Sequence, residues 1–152
     1  MALQGGHRFA VAFEELFPFG AFCMSVEPET DFDRRGAADS QKRDKDSGER
    51  VWVVRVIDGD PEAAKRGQAE TKVRLLAPQQ PVPPAASGGF PYPAVEFEGL
   101  SLTPWVDGAR CRSRQHTNGE CKGRTAFSIR ATAMRAPSKA STRASAGGER
   151  AA

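Results

Sequence analysis

Residues 51–57 read VWVVRVI: six apolar residues, five of them β-branched, broken by one arginine. β-branched side chains lose χ1 freedom in a helix and pack well on a pleated surface, so such a run specifies a strand. Its flanks fix its ends. KRDKDSGER (42–50) puts seven charges into nine residues, and DGDP (58–61) is turn chemistry. Val51, Val53 and Ile57 fall on one face and Trp52, Val54 and Val56 on the other. A strand apolar on both faces is expected at the centre of a core. Arg55 then needs a partner, and Glu96 or Glu98 on another well-patterned strand are the candidates.

The rest of the chain supplies short partners for that strand. Phe9, Val11 and Phe13 alternate in residues 8–13, and EELFPFG follows as one turn of helix stopping before Pro18. AFCMSVEP (21–28) reads as a strand. Residues 31–50 are polar and aperiodic, which predicts a long, partly mobile loop. Asp60, Pro61, Ala63, Ala64, Lys65, Arg66 and Gly67 place an N-cap acid, a first-turn proline, late basic residues and a glycine stop around a short helix at 61–66. TKVRLLAP (71–78) is a strand. Residues 79–93 are rich in proline, which lacks a ladder donor, so they form a surface connector. In 94–106 the inward set passes from Val95 and Phe97 to Leu100 and Leu102, a shift expected of a bulge at Gly99. Residues 124–134 are the last strand, with Phe127, Ile129 and Ala131 inward. Five or six strands and one short helix predict a mainly β fold: a small antiparallel barrel or sandwich, with an oligonucleotide-binding-type barrel as one fit. One compact domain is expected over 1–137, followed by a disordered basic tail at 138–152.

No run approaches the length of a membrane span, and the N-terminal residues lack the basic leader and unbroken apolar stretch of a signal peptide. A cytoplasmic protein without a membrane partner is expected. Residues 109–152 carry ten Lys or Arg against two Glu, while residues 1–108 carry twelve against seventeen Asp or Glu. The basic C-terminal third suits either a polyanion such as nucleic acid or a solubilising tail.

The chemistry-bearing residues are few. His7 and His116 are the only histidines, and no hydrolase elbow, P-loop or zincin motif occurs, so no enzyme and no cofactor are expected. The acid pairs Asp31/Asp33, Asp44/Asp46 and Asp58/Asp60 read as turn acids that bond nearby backbone. Cys111, His116 and Cys121 give three local ligands where a structural zinc site needs four; Asp107 or Cys23 would have to complete the set, and a hairpin loop is the preferred reading. For nucleic acid, the candidate phosphate contacts are Lys72, Arg74, Arg110, Arg112, Arg114, Lys122, Arg124 and Arg130. Trp52, Trp105 and Phe127 stand near arginines and are either stacking surfaces or core. The clean alternation favours core for Phe127, and Trp105, after Pro104 near a strand end, stays open.

FEELFPFGAF, EPETDFD, QKRDKDSGERVWVVRVIDGDPEA, APQQPVPP, VEFEGLSLTPWVD and AFSIRATAMRAP, in this order, resemble the actinobacterial plasmid replication, integration and excision activators over about residues 8–137. The resemblance implies a regulatory protein of an integrative and conjugative plasmid, acting through DNA directly or through a DNA-bound protein, with other plasmid-encoded or host proteins as further partners. It transfers no catalytic residue. CRSRQHTNGEC falls in a variable region of that family, so the resemblance lends Cys111, His116 and Cys121 no role, and Ala133 stands where the family pattern has Gly. The alternatives are a single-stranded-DNA-binding barrel and a protein–protein adaptor that docks through the connector.

Overall fold

A computed structural model describes residues 5–108 and 123–138. They form eight strands and two short helices in one curled sheet: β1 (Phe9–Ala10), α1 (Phe13–Leu16), β2 (Ala21–Pro28), β3 (Val51–Asp58), α2 (Pro61–Lys65), β4 (Glu70–Leu76), β5 (Ala94–Glu98), β6 (Ser101–Asp107), β7 (Arg124–Ala131) and β8 (Ala133–Arg135), with a 3₁₀ turn at Phe32–Arg34. The order across the sheet is β1-β6-β7-β4-β3-β2-β5-β8. No helix among the described residues is long and apolar enough to cross a membrane.

The two ends of that order belong to one hairpin. Glu96↔Arg135 to Glu98↔Ala133 pair β5 with β8, and Ser101↔Arg130 to Asp107↔Arg124 continue in the same antiparallel register between β6 and β7. Residues 94–107 and 124–135 are therefore two long strands bent together. One half of the pair meets β4 through the parallel contact Val73↔Ile129 to Leu75↔Ala131, and the other half meets β2 at Ala21↔Val95 and Phe22↔Ala94. Counting each bent strand once, five strands run β2-β3-β4-(β7β8)-(β5β6)-β2, with one parallel pair. This is the strand order of an oligonucleotide-binding-type barrel. Closure is partial: past Cys23, whose N–H donates to Pro93 O (2.9 Å), the edge of β2 is covered by the connector, where Gln80 Nε2 donates to Val26 O (2.9 Å).

The bend falls at Gly99–Leu100 and Ala131–Thr132. It replaces the expected bulge, because both strands keep the same residue count through it. The inward set does pass from Val95 and Phe97 to Leu100 and Leu102, as expected, but the partner strand switches face with it. Gly99 has φ +59°, a left-handed conformation, and a Cβ there would strike the Thr132 side chain. Thr132 secures the bend, its N–H (2.9 Å) and hydroxyl (3.1 Å) both donating to Glu98 O.

The core lies inside the curl. Trp52, Val54 and Val56 of β3 meet Val73 and Leu75 of β4, Cys23 of β2, Val95 and Phe97 of β5, and Ile129 and Ala131 of β7. Phe13 and Phe17 plug one end, their rings 5.5 Å apart and each 6.4 Å from Phe97. Phe13 thus belongs to α1, and the strand expected over 8–13 is reduced to two paired residues. Trp52 is 7% exposed, and its indole N–H donates to Ala77 O at 2.9 Å. Asp60 caps α2 by accepting from the Glu62 N–H (2.9 Å), as its sequence predicts. Arg55 corrects the reading of β3 as buried on both faces. It points outward beside β4, where its Nε donates to Glu70 Oε1 (2.7 Å), while Glu96 and Glu98 pair with Arg135 (3.1 and 2.8 Å).

Gly99→Val forces a β-branched residue into the left-handed region and against Thr132. The loss is expected to be about 2–4 kcal/mol, seen as a lower urea midpoint with unchanged slope. An unchanged midpoint would show that the bend does not depend on glycine.

Candidate nucleic-acid interface

The outer face of the barrel carries the polar residues of β3, β4, β7 and β6. The parallel register sets Arg74 of β4 directly beside Arg130 of β7. Two adjacent guanidinium groups repel, and each is met by a carboxylate from residues 29–50. Arg74 donates through Nε to both oxygens of Glu29 (3.0 Å each) and through Nη1 to the Ser128 hydroxyl (3.0 Å). Arg130 Nη1 donates to Asp44 Oδ1 at 2.7 Å.

Those carboxylates are held by an ordered loop. The Glu29 N–H donates to Val51 O (3.0 Å), the Lys42 N–H to Glu29 O (2.7 Å) and the Val51 N–H to Lys42 O (2.9 Å), tying three chain segments together. Gln41 is buried and bonds Val51 O (3.1 Å) while accepting from Arg50 (2.9 Å). The region that lacked periodicity in sequence is therefore fixed by backbone and side-chain bonds. Asp44 is 8% exposed. Burial works to raise its pKa, but the Ser47 N–H, the Arg130 guanidinium and the Ser47 hydroxyl override this and lower it to about 2.

Toward the opposite end of β4 and β7 the face opens into a groove of about 610 Å³, lined by Lys72, Arg74, Trp105, Arg124, Phe127 and Ser128 among others. Trp105 is 49% exposed and Phe127 56% exposed. Phe127 shares the inward parity of Ile129 yet stands beyond the packed part of the barrel, which corrects its expected place in the core. Cross-strand pairs link the elements here: Trp105 is opposite Ala126, and Pro104 is opposite Phe127. Arg124 Nε lies 3.3 Å from Asp107 Oδ2 in a solvent-screened pair. Lys72 is exposed and makes no ion pair among the described residues.

Of the expected phosphate contacts, then, Lys72 and Arg124 line the groove, and Arg74 and Arg130 flank each other while fastening the loop. Arg110, Arg112, Arg114 and Lys122, with Cys111, His116 and Cys121, lie outside the described residues, between the groove's two strands β6 and β7. Cys23, the distant fourth candidate ligand, is a buried core thiol whose pKa is pushed up by desolvation. That disfavours the thiolate a metal requires. Sequence reasoning missed Arg8, Glu29 and the pairing of Asp44 with Arg130, while its reading of Asp44 as a turn acid holds, since Oδ2 accepts from the Ser47 N–H (3.0 Å). Neither Arg8 nor the acids carried a signal, because the Arg74–Arg130 pair that needs anions exists only in the register of β4 and β7. No family model, curated protein or solved structure matches the chain.

Because the folded Asp44 pKa lies below its ordinary value of 3.8, its contribution is present above about pH 4 and is lost as pH falls toward 2. Asp44→Asn is expected to cost about 2 kcal/mol at neutral pH and to flatten the acid limb of a urea-midpoint series between pH 4 and 2. An acid limb identical to wild type would show that the ionised Asp44, with its Ser47 and Arg130 contacts, adds nothing.

Proposed function

We propose that this chain is a non-enzymatic regulatory protein that binds single-stranded nucleic acid along the outer groove of its barrel. Its regulatory role would be to promote replication, integration and excision of an actinobacterial integrative conjugative plasmid. The observation that carries the binding reading is the exposed Trp105 ring beside Lys72 and Arg124 in one open groove, with Phe127 at its margin from a position of inward parity. Unpaired bases stack on such rings while cations meet the backbone phosphates, a combination that tolerates any sequence. The strand order supports it in part: barrels of this type bind oligonucleotides on a face centred on their second and third strands, and the groove here shares β4 with that face and extends from it over β7 and β6. The plasmid role rests on the resemblance of the ordered segments across residues 8–137.

Duplex DNA hides its base faces, so the groove favours single strands. Oligo-dT is expected to quench Trp105 emission and leave Trp52, which is buried in the core, unaffected. Stacking is worth ~1–3 kcal/mol per base, so Trp105→Ala should weaken binding roughly 5- to 150-fold and fail to restore excision when it replaces the wild-type gene on its element. Unquenched emission at saturating oligo-dT, or full affinity in Trp105→Ala, would overturn the stacking reading.

A further inference from the structure

A second cavity adjoins the groove through Arg74, Ser128 and Ile129. It measures about 220 Å³, and Arg8, Arg74, Arg130, Thr103 and Ser128 supply its polar lining. Small-molecule pockets are mostly apolar and run from roughly 300 to 1,000 Å³. This one is smaller, and among the described residues its lining brings three guanidinium groups and two hydroxyls together with no carboxylate. The carboxylates lie to one side: Glu29 and Asp44 hold Arg74 and Arg130 in the adjoining loop cavity, and Asp46 stands 3.9 Å from Arg8.

The register explains how a three-arginine pocket forms. Arg74 and Arg130 are neighbours on parallel strands, and Ser128 faces Thr103 across the β6–β7 pair. Arg8 immediately precedes the Phe9↔Leu102 pair, so β1 delivers it alongside Thr103. A guanidinium has five N–H donors in a fixed fork. Arg130 uses Nη1 on Asp44 and keeps its other donors, whereas Arg74 engages Nε and Nη2 with Glu29 and Nη1 with the Ser128 hydroxyl, so Arg8 and Arg130 carry the donors left for an anion. Oriented arginines with flanking hydroxyls match the several acceptor oxygens of one compact anion.

We propose that Arg8, Arg74 and Arg130, with Thr103 and Ser128, form a phosphate-binding pocket. Its occupant is either a backbone phosphate of a strand lying in the neighbouring groove or free phosphate. The backbone version rests on the nucleic-acid reading above. Arg8 is the residue to change, because its side chain is 44% exposed and lies outside the core, whereas Arg74 and Arg130 also fasten the loop.

Two measurements test the pocket separately from the groove. In the free protein, inorganic phosphate is expected to shift the side-chain Nε–H resonances of Arg8, Arg74 and Arg130, chloride at equal ionic strength is not, and Arg8→Gln should shrink the shifts at the other two. In oligo-dT titrations at several salt concentrations, Arg8→Gln should reduce the log–log salt slope by about 0.7, the value of one single-strand phosphate contact, while Trp105→Ala lowers affinity and leaves the slope intact. A reduced slope assigns the pocket to backbone phosphate. Phosphate-specific shifts with an unchanged slope, or in a protein that does not bind oligo-dT, assign it to free phosphate. No phosphate-specific shift together with an unchanged slope overturns the proposal.

Discussion

The sheet of this protein depends on one bent hairpin. β2, β3 and β4 alone would make a three-stranded meander with two exposed edges, each a row of unpaired backbone groups. The strands 94–107 and 124–135 close both, because one register runs through the bend and lets a single pair reach β4 at one end and β2 at the other. Gly99, in a conformation that side chains rarely adopt, and Thr132, bonded to Glu98 O, make the bend possible. The curl that results encloses Val54, Val56, Val73 and Leu75, and it sets β7 parallel to β4.

That parallel contact has an electrostatic consequence. It forces Arg74 and Arg130 side by side, a costly arrangement unless anions neutralise it. Glu29 and Asp44 do so, and in doing so they pin the 29–50 segment to the barrel wall. The charge-dense stretch before β3 is thus part of the folded structure. Beyond the clasp the same face stays open at Lys72, Trp105 and Arg124, with Glu70, the partner of Arg55, at its margin. Fold closure, loop order and an open polar groove follow from one strand pairing.

Much of the strand pattern was legible in residues 21–28, 51–57, 71–78, 94–106 and 124–134, because period-two alternation and proline or glycine punctuation act locally. The helix at α2 was legible for the same reason, since its cap and stop residues are adjacent in sequence. What failed was long-range. Arg55 reads as buried from its neighbours, yet β4 lies beside it with Glu70 in reach. Phe127 alternates with Ile129 and Ala131, but the barrel's packed layer ends before reaching it. The face shift at Gly99 was visible, while its cause, a simultaneous shift in the partner strand, requires the register. Aperiodicity in 31–50 concealed an ordered loop because its bonds are turn contacts within the segment, such as Asp31 N–H to Ser40 O and Asp44 N–H to Glu49 O, joined to long-range contacts such as Asp44 with Arg130, and neither kind leaves a period. Of the eight basic residues expected to meet phosphate, the structure places Lys72 and Arg124 in the groove. It gives Arg74 and Arg130 an internal role as well.

On the proposed function, unpaired bases lie across β4, β7 and β6. An amide chemical-shift map of the ¹⁵N-labelled protein with saturating oligo-dT tests it most directly. Perturbations are expected to concentrate at Lys72, Arg74, Trp105, Phe127 and Ser128, with the connector at 79–93 and the Glu96–Arg135 edge unmoved. Perturbations confined to the connector, or none at saturation, would contradict it.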